Sequence, residues 1–259
     1  TNCSPNHLDW HGDWRNYVAA KQRLLCGTNH CEHAILNTAS PEVASWRFSS
    51  AATLVPLPED LDVPNRLIPG EHNRQNALLA ATAARWLGIK DQHIHSAIAE
   101  FAGLPHRLEF VGTVNGRKFY NDSKSTSVSA TIAALNANKE PTILLAGGVD
   151  DDCDLDLLAT KIVQSTKAVC LFGSVRHRLG KLIACAEPTF SVTTSETLAE
   201  ALQNAFRISL PSDIILLSPA RPSFDQFEDF TERGRVFVNL VNQLQSIAKM
   251  DSKSSVCNL

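Results

Sequence analysis

Four short stretches bring together side chains able to handle anions and protons. NDSKST (121–126) crowds an amide, a carboxylate, an ammonium and three hydroxyls between the strand-like FYN and a helix-like ATIAAL pattern. GGVDDD (147–152) sets two glycines before three carboxylates, and SPARPSFDQF (218–227) mixes hydroxyls, a guanidinium and a carboxylate. HNRQN (72–76) places Asn73 and Asn76 one helical turn apart, where both amides can face one ligand. Where a strand opens onto a helix, free backbone N–H groups and the positive end of the helix dipole favour anions, so binding of phosphate or carboxylate groups is the chemistry open to such loops. Each stretch also has a plainer reading: a glycine turn with an Asp N-cap, a rigid loop capped by Ser and Asp, an N-cap at Asn73.

The elements that must position these loops follow from periodicity. DWRNYVAAKQRLL repeats its apolar residues at helical spacing, and HAILN and ATLVPL are short apolar runs between turns. NRQNALLAATAARWLGI is an Ala/Leu-rich helix closed by Gly88, and residues 92–102 form another amphipathic helix. Gly103 and Pro105 mark a boundary. Beyond it RLEFVGTVNGRKFYND is a hairpin turning at Asn115-Gly116, and strands at TILLAGG, AVCLFG, TFSVT and DIILLSPA alternate with helices over 130–137, 155–165, 174–184, 196–209 and 232–247. Such alternation specifies an α/β fold with a mainly parallel sheet, a Rossmann-like domain over 105–250, with 1–104 as a separate domain and 251–259 as a flexible tail.

Composition narrows the function class. Twenty-four basic against 27 acidic residues, with no run of like charge longer than the three aspartates 150–152, leave no nucleic-acid stripe and no membrane-surface patch among 259 residues. No apolar stretch approaches the roughly 18 residues of a membrane span, and no charged-then-apolar leader opens the sequence. Seven dispersed cysteines without a CxxC pair fit reduced thiols in a cytoplasmic protein. Small-molecule chemistry is the class that remains. The sequence opens on Thr1, and a fragment or a processed chain is expected.

HNRQN, GLPHRLE, FYNDSKST, LLAGG and LLSPARPSFDQFEDFTERG, in that order and spacing, resemble the Mur ligases of peptidoglycan synthesis, and within them the D-glutamate-adding branch. The resemblance runs from about residue 2 to residue 244 and implies the second half of a central ATP-binding domain followed by the carboxy-terminal domain. No GxxxxGK[ST] loop for ATP phosphates occurs in the sequence. The implied reaction is phosphorylation of the carboxylate of UDP-N-acetylmuramoyl-L-alanine by ATP with Mg²⁺, then attack of the D-glutamate amine on the acyl phosphate, by a monomeric enzyme. This chain alone is expected to be inactive.

The resemblance also assigns residues. It implies that His7 is a magnesium ligand and Lys21 a carbamylated lysine whose anionic oxygens suit Mg²⁺; read singly, they are a turn-capping histidine and a solvated lysine. It places Asn73 and Asn76 on adenine, Arg107 on phosphate and Asp122 on ribose hydroxyls. Lys124 and Thr126 fall on the amino-acid side, and Ser223 and the Phe230 backbone N–H would hold the glutamate side-chain carboxylate. Departures accompany these matches. Asp151 stands where the branch usually has a lysine, Ser127 where Asn is usual, and Arg221-Pro222 where a small pair is usual. Arg221 is a candidate source of the missing positive charge. These departures keep two alternatives open: a Mur-type ligase for another amino acid, such as L-glutamate, and a degenerate nucleotide-binding module without turnover.

Overall fold

The computed structural model describes residues 1–5, 8–26, 32–48, 52–58, 70–151 and 153–256, without the side chains of 9 and 251–256. The chain divides into two compact units, Thr1–Ala102 and Gly103–Leu259. No helix among the described residues is long and apolar enough to cross a membrane.

Unit 1 contains helices α1 (Leu8–His11), α2 (Trp14–Cys26), α3 (Pro41–Ser45), α4 (Glu71–Trp86) and α5 (Asp91–Glu100), a 3-10 turn at Trp46–Phe48, and strands β1 (His33–Ala34) and β2 (Thr53–Leu54). The two strands pair in parallel. Leu25, Ala34, Val43, Trp46 and Ala52 form one small core; Ala81 of α4 meets Ile94 of α5 in another. Gly88 closes α4 at φ +84°, where the Ile89 N–H reaches back to the Ala84 carbonyl at 3.0 Å, as its sequence position suggests. The start differs from expectation: Gly70 is the N-cap and Asn73 lies inside the first turn, its own N–H bonded to the Gly70 carbonyl at 3.1 Å.

Unit 2 carries strands β3 (Glu109–Val114), β4 (Arg117–Asn121), β5 (Thr142–Gly147), β6 (Ala168–Phe172), β7 (Val192–Thr194) and β8 (Ile214–Ala220). Between and after them run helices α6 (Val128–Ala137), α7 (Asp156–Ser165), α8 (Arg176–Ala186), α9 (Leu198–Ile208) and α10 (Phe230–Val256). The sheet order is β3-β4-β8-β5-β6-β7. Only the β3–β4 pair is antiparallel; its turn residues Asn115 and Gly116 have φ +47° and +79°, the positive pair a two-residue hairpin turn requires.

Period-two alternation divides the core between the faces. Leu144, Ala146, Val169, Leu171, Ile214 and Leu216 pack under α6, α7 and α8. Ile143, Leu145, Cys170, Phe172, Ile215 and Leu217 pack under α9 and α10. Strands covered on both faces read as unbroken apolar runs, which is why TILLAG, AVCLF and IILL are so uniform. Helix α10 runs past 247 to Val256, through most of the segment expected as a tail.

Strand β8 enters between β4 and β5. The helices after β4 and β5 lie on one face and the helix after β8 on the other. A parallel sheet leaves a crevice at the carboxyl ends of strands whose connections part in this way. The loops NDSKST, GGVDDD and SPARPSFDQF all start at that edge.

Candidate functional site

One guanidinium ties these loops together. Arg233, on the first turns of α10, is fully buried. Its Nε donates to Ser123 Oγ (3.0 Å) and its Nη2 to the Ser123 carbonyl (2.9 Å). Its Nη1 donates to the Arg221 carbonyl (3.0 Å) and more weakly to that of Gly147 (3.4 Å). The loops after β4, β8 and β5 thus share one donor fork. Burial lowers the Arg233 pKa from 12.5 to about 10, against the raising influence of Asp225. The glycines of LLAGG are required here: a Cβ on Gly148 would run into the Pro222 carbonyl, and one on Gly147 into the Phe172 carbonyl. His106, Leu108 and Ala220 hold φ of +64°, +47° and +64° beside the same crevice, strain that accumulates where geometry serves a site.

Within NDSKST, Asp122 is buried, 4% exposed. Its Oδ1 accepts the Leu108 N–H at 3.2 Å and its Oδ2 the Ser218 hydroxyl at 2.7 Å. Burial raises its carboxyl from 3.8 to about 6, opposed by hydrogen bonds from Ser125, Ser218 and Leu108 and by the charge of Arg107. The folded state therefore holds this proton more tightly than the unfolded chain. This group's contribution to stability is greatest below the unfolded value and falls as pH rises through about 6, by roughly 2–3 kcal/mol in all. Asp122→Asn keeps an acceptor for Leu108 and offers a donor toward Ser218. It should raise the stability of unit 2 near neutral pH by about 1–2 kcal/mol and flatten the pH dependence of melting between about pH 4 and about pH 7. A variant that melts earlier than the parent at neutral pH would contradict this.

Lys124 follows on the same loop, exposed, its N–H bonded to the His106 carbonyl at 3.0 Å. Its ammonium lies 3.7 Å from the centre of the Phe230 ring, a cation–π contact, and no carboxylate pairs with it among the described residues. Phe230 thus offers a ring to Lys124 and a carbonyl to the Ser123 hydroxyl (2.8 Å). Thr126 is half-buried, its N–H on the Lys124 carbonyl at 2.9 Å, and Arg107 is exposed.

Across the crevice the Arg221 Nη2 is ion-paired with Asp151 Oδ1, a contact of charge alone, since that nitrogen makes no hydrogen bond among the described residues. The two departures noted in the sequence meet. Arg178 pairs with Asp150 at 2.5 Å and donates to the Cys153 carbonyl at 2.8 Å, fixing the rest of the β5 loop. Ser223, 1% exposed, keeps its hydroxyl without a hydrogen-bond partner among the described residues. An unsatisfied buried hydroxyl costs about 1–3 kcal/mol and asks for a ligand atom.

Arg107, Asp122, Lys124, Thr126, Ser223 and Phe230 fall in unit 2; Lys21, Asn73 and Asn76 fall in unit 1. Asn76 is exposed and Asn73 half-buried on the first turns of α4. The Lys21 ammonium sits over the Tyr17 ring, 4.8 Å from its centre. His7 lies outside the described residues. No three His, Cys, Asp or Glu side chains converge among the described residues. Sequence reasoning missed Ser123 and Arg233. Both lie in stretches that stand out in the sequence, but nothing local pairs them, because the bond between them spans 110 residues of chain.

Residues 106–221 match the family model described as Mur ligase, glutamate ligase domain. The chain is 34% identical over 274 residues to the UDP-N-acetylmuramoylalanine–D-glutamate ligase of Lacticaseibacillus paracasei, covering 98% of this chain and 59% of that protein. It is 36% identical over 259 residues to the ligase of the same name from Shouchella clausii, covering 92% and 57%. The chain thus spans less than three fifths of these curated relatives. Among solved structures, MurF from Acinetobacter baumannii shares the fold with a TM-score of 0.70 at 17% identity, over 93% of this chain and 58% of that one.

Proposed function

We propose, from the premise that this chain belongs to the Mur ligase family, that it supplies the amino-acid-receiving part of an ATP-dependent carboxylate–amine ligase. The reaction is addition of D-glutamate to UDP-N-acetylmuramoyl-L-alanine, in the cytoplasm, as a step of peptidoglycan precursor synthesis. The observation that carries this reading is the buried Ser223 hydroxyl at the same sheet edge as Lys124: among the described residues the hydroxyl has no hydrogen-bond partner and the cation no carboxylate. A hydroxyl and an ammonium at one crevice are what a carboxylate-bearing substrate requires.

ATP, when bound, supplies the phosphoryl group that activates the acceptor carboxylate. Asn73 and Asn76 would hold its adenine. Lys124 places positive charge where oxyanions gather during acyl transfer, and its seat on Phe230 fixes that charge without neutralising it. Ser223 and Thr126 orient the incoming amino acid. Arg233 holds the loops that carry Lys124, Thr126 and Ser223 in register, which limits their reorganisation. Lys21, once carbamylated, would offer Mg²⁺ an anionic oxygen, and the ion would supply positive charge for the phosphoryl transfer.

The test is a chimera in which residues 1–259 replace the matching carboxy-terminal part of the Shouchella clausii relative. It should form the D-glutamyl product in an ATP-dependent manner, whereas the chain alone, having no phosphate loop of the GxxxxGK[ST] kind, should release no ADP. A chimera that melts cooperatively and activates the acceptor yet transfers no D-glutamate would overturn the substrate assignment. ADP formation by the purified chain would overturn the dependence on the other part.

A further inference from the structure

The partners in the Asp151–Arg221 pair are unequal. Arg221 is 3% exposed and anchored, its Nε on the Val149 carbonyl at 3.1 Å and its Nη1 on Cys153 Sγ. The Asp151 side chain is 44% exposed on the loop after β5. A buried guanidinium with two anchored nitrogens cannot leave; an exposed carboxylate, held besides by the Cys153 N–H at 3.3 Å, can rotate into water once another anion takes its place on Arg221. Two residues beyond Arg221, Ser223 holds a hydroxyl that has no hydrogen-bond partner among the described residues. A fixed guanidinium and an orphan hydroxyl on one loop make a seat for a carboxylate, and in this chain the carboxylate on Arg221 is the protein's own.

We propose that Arg221 reads the side-chain carboxylate of the incoming amino acid and that Asp151 is an internal competitor, occupying Arg221 until the substrate displaces it. This rests on the amino-acid-ligase reading above and adds to it the residues that set selectivity. The substrate class is a dicarboxylic amino acid, because Arg221 released from Asp151 is a buried cation that a neutral side chain would leave unpaired. The pair also sets a threshold: a neutral amino acid gains nothing by displacing Asp151, whereas a carboxylate exchanges one ion pair for another.

The experiment uses the full 259-residue chain, with the arginine Nε–Hε resonances followed by heteronuclear NMR while D-glutamate or D-glutamine is added. Glutamate should shift the Arg221 resonance and glutamine should not. Asp151→Asn, a change at an exposed side chain, should tighten glutamate binding about tenfold, equivalent to about 1.4 kcal/mol, and leave glutamine without effect. Arg221→Lys should weaken glutamate binding even where its melting temperature matches the parent. Glutamate binding that shifts other resonances of the crevice but is unchanged by Asp151→Asn and Arg221→Lys would overturn the competitor while leaving the ligase reading intact. Absence of any response to glutamate in parent and variants alike would overturn both.

Discussion

Lys124→Ala should lower D-glutamate ligation in the chimera by about 10²–10³-fold, the loss expected when a preorganised charge facing a developing oxyanion is removed. The same change should barely move stability. Lys124 is exposed and its energetic tie to the fold is one cation–π contact with Phe230, worth about 0.5–1 kcal/mol at such a site. The division between kcat and KM then locates its contribution. A fall in kcat at constant KM places the ammonium on the transition state, and a rise in KM alone places it on the bound amino acid. A variant that melts far earlier and keeps its turnover would make Lys124 a structural residue, and the proposed site would lose its free cation.

Arg233→Met should destabilise unit 2 by about 3 kcal/mol. The substitution strands the carbonyls of Ser123 and Arg221, at about 1–3 kcal/mol for each buried group left unpaired, and takes a donor from the Ser123 hydroxyl, which keeps its bond to the Phe230 carbonyl. Against this stands relief of the buried charge, whose lowered pKa of about 10 corresponds to roughly 3 kcal/mol. The lost bonds win because all of them are charge-assisted and depend on one fork. Arg233→Lys keeps the charge but cannot fork to two loops at once, and should recover only part of the loss.

The sequence supplies an internal control for this measurement. All four tryptophans, Trp10, Trp14, Trp46 and Trp86, lie in unit 1, whereas Tyr120 lies in unit 2. Denaturation of Arg233→Met followed by far-ultraviolet circular dichroism should therefore show an early transition, while tryptophan fluorescence keeps the parental midpoint. Equal shifts in both signals would mean that Arg233 acts on the whole chain and not on the crevice of unit 2.

What the residues determine by themselves is what depends on near neighbours. TILLAG, AVCLF and IILL had to be buried strands, because unbroken apolar runs of that length suit a sheet covered on both faces. Asn115-Gly116 had to turn, and Gly88 had to end a helix, because each adopts a backbone conformation that few residues accept. The loops NDSKST, GGVDDD and SPARPSFDQF were recognisable for the same reason, since their polarity breaks the apolar pattern locally. Tertiary structure alone decided that β8 enters between β4 and β5, and hence that these loops share one edge. It also decided that Arg233 binds Ser123, that Arg221 meets Asp151 across 70 positions, and that the Asp122 carboxylate is turned inward onto Leu108 and Ser218. Periodicity and turn chemistry act over a few residues and leave a trace in the order of amino acids. A buried hydrogen bond between distant segments leaves none, because its partner is chosen by the packing of the sheet.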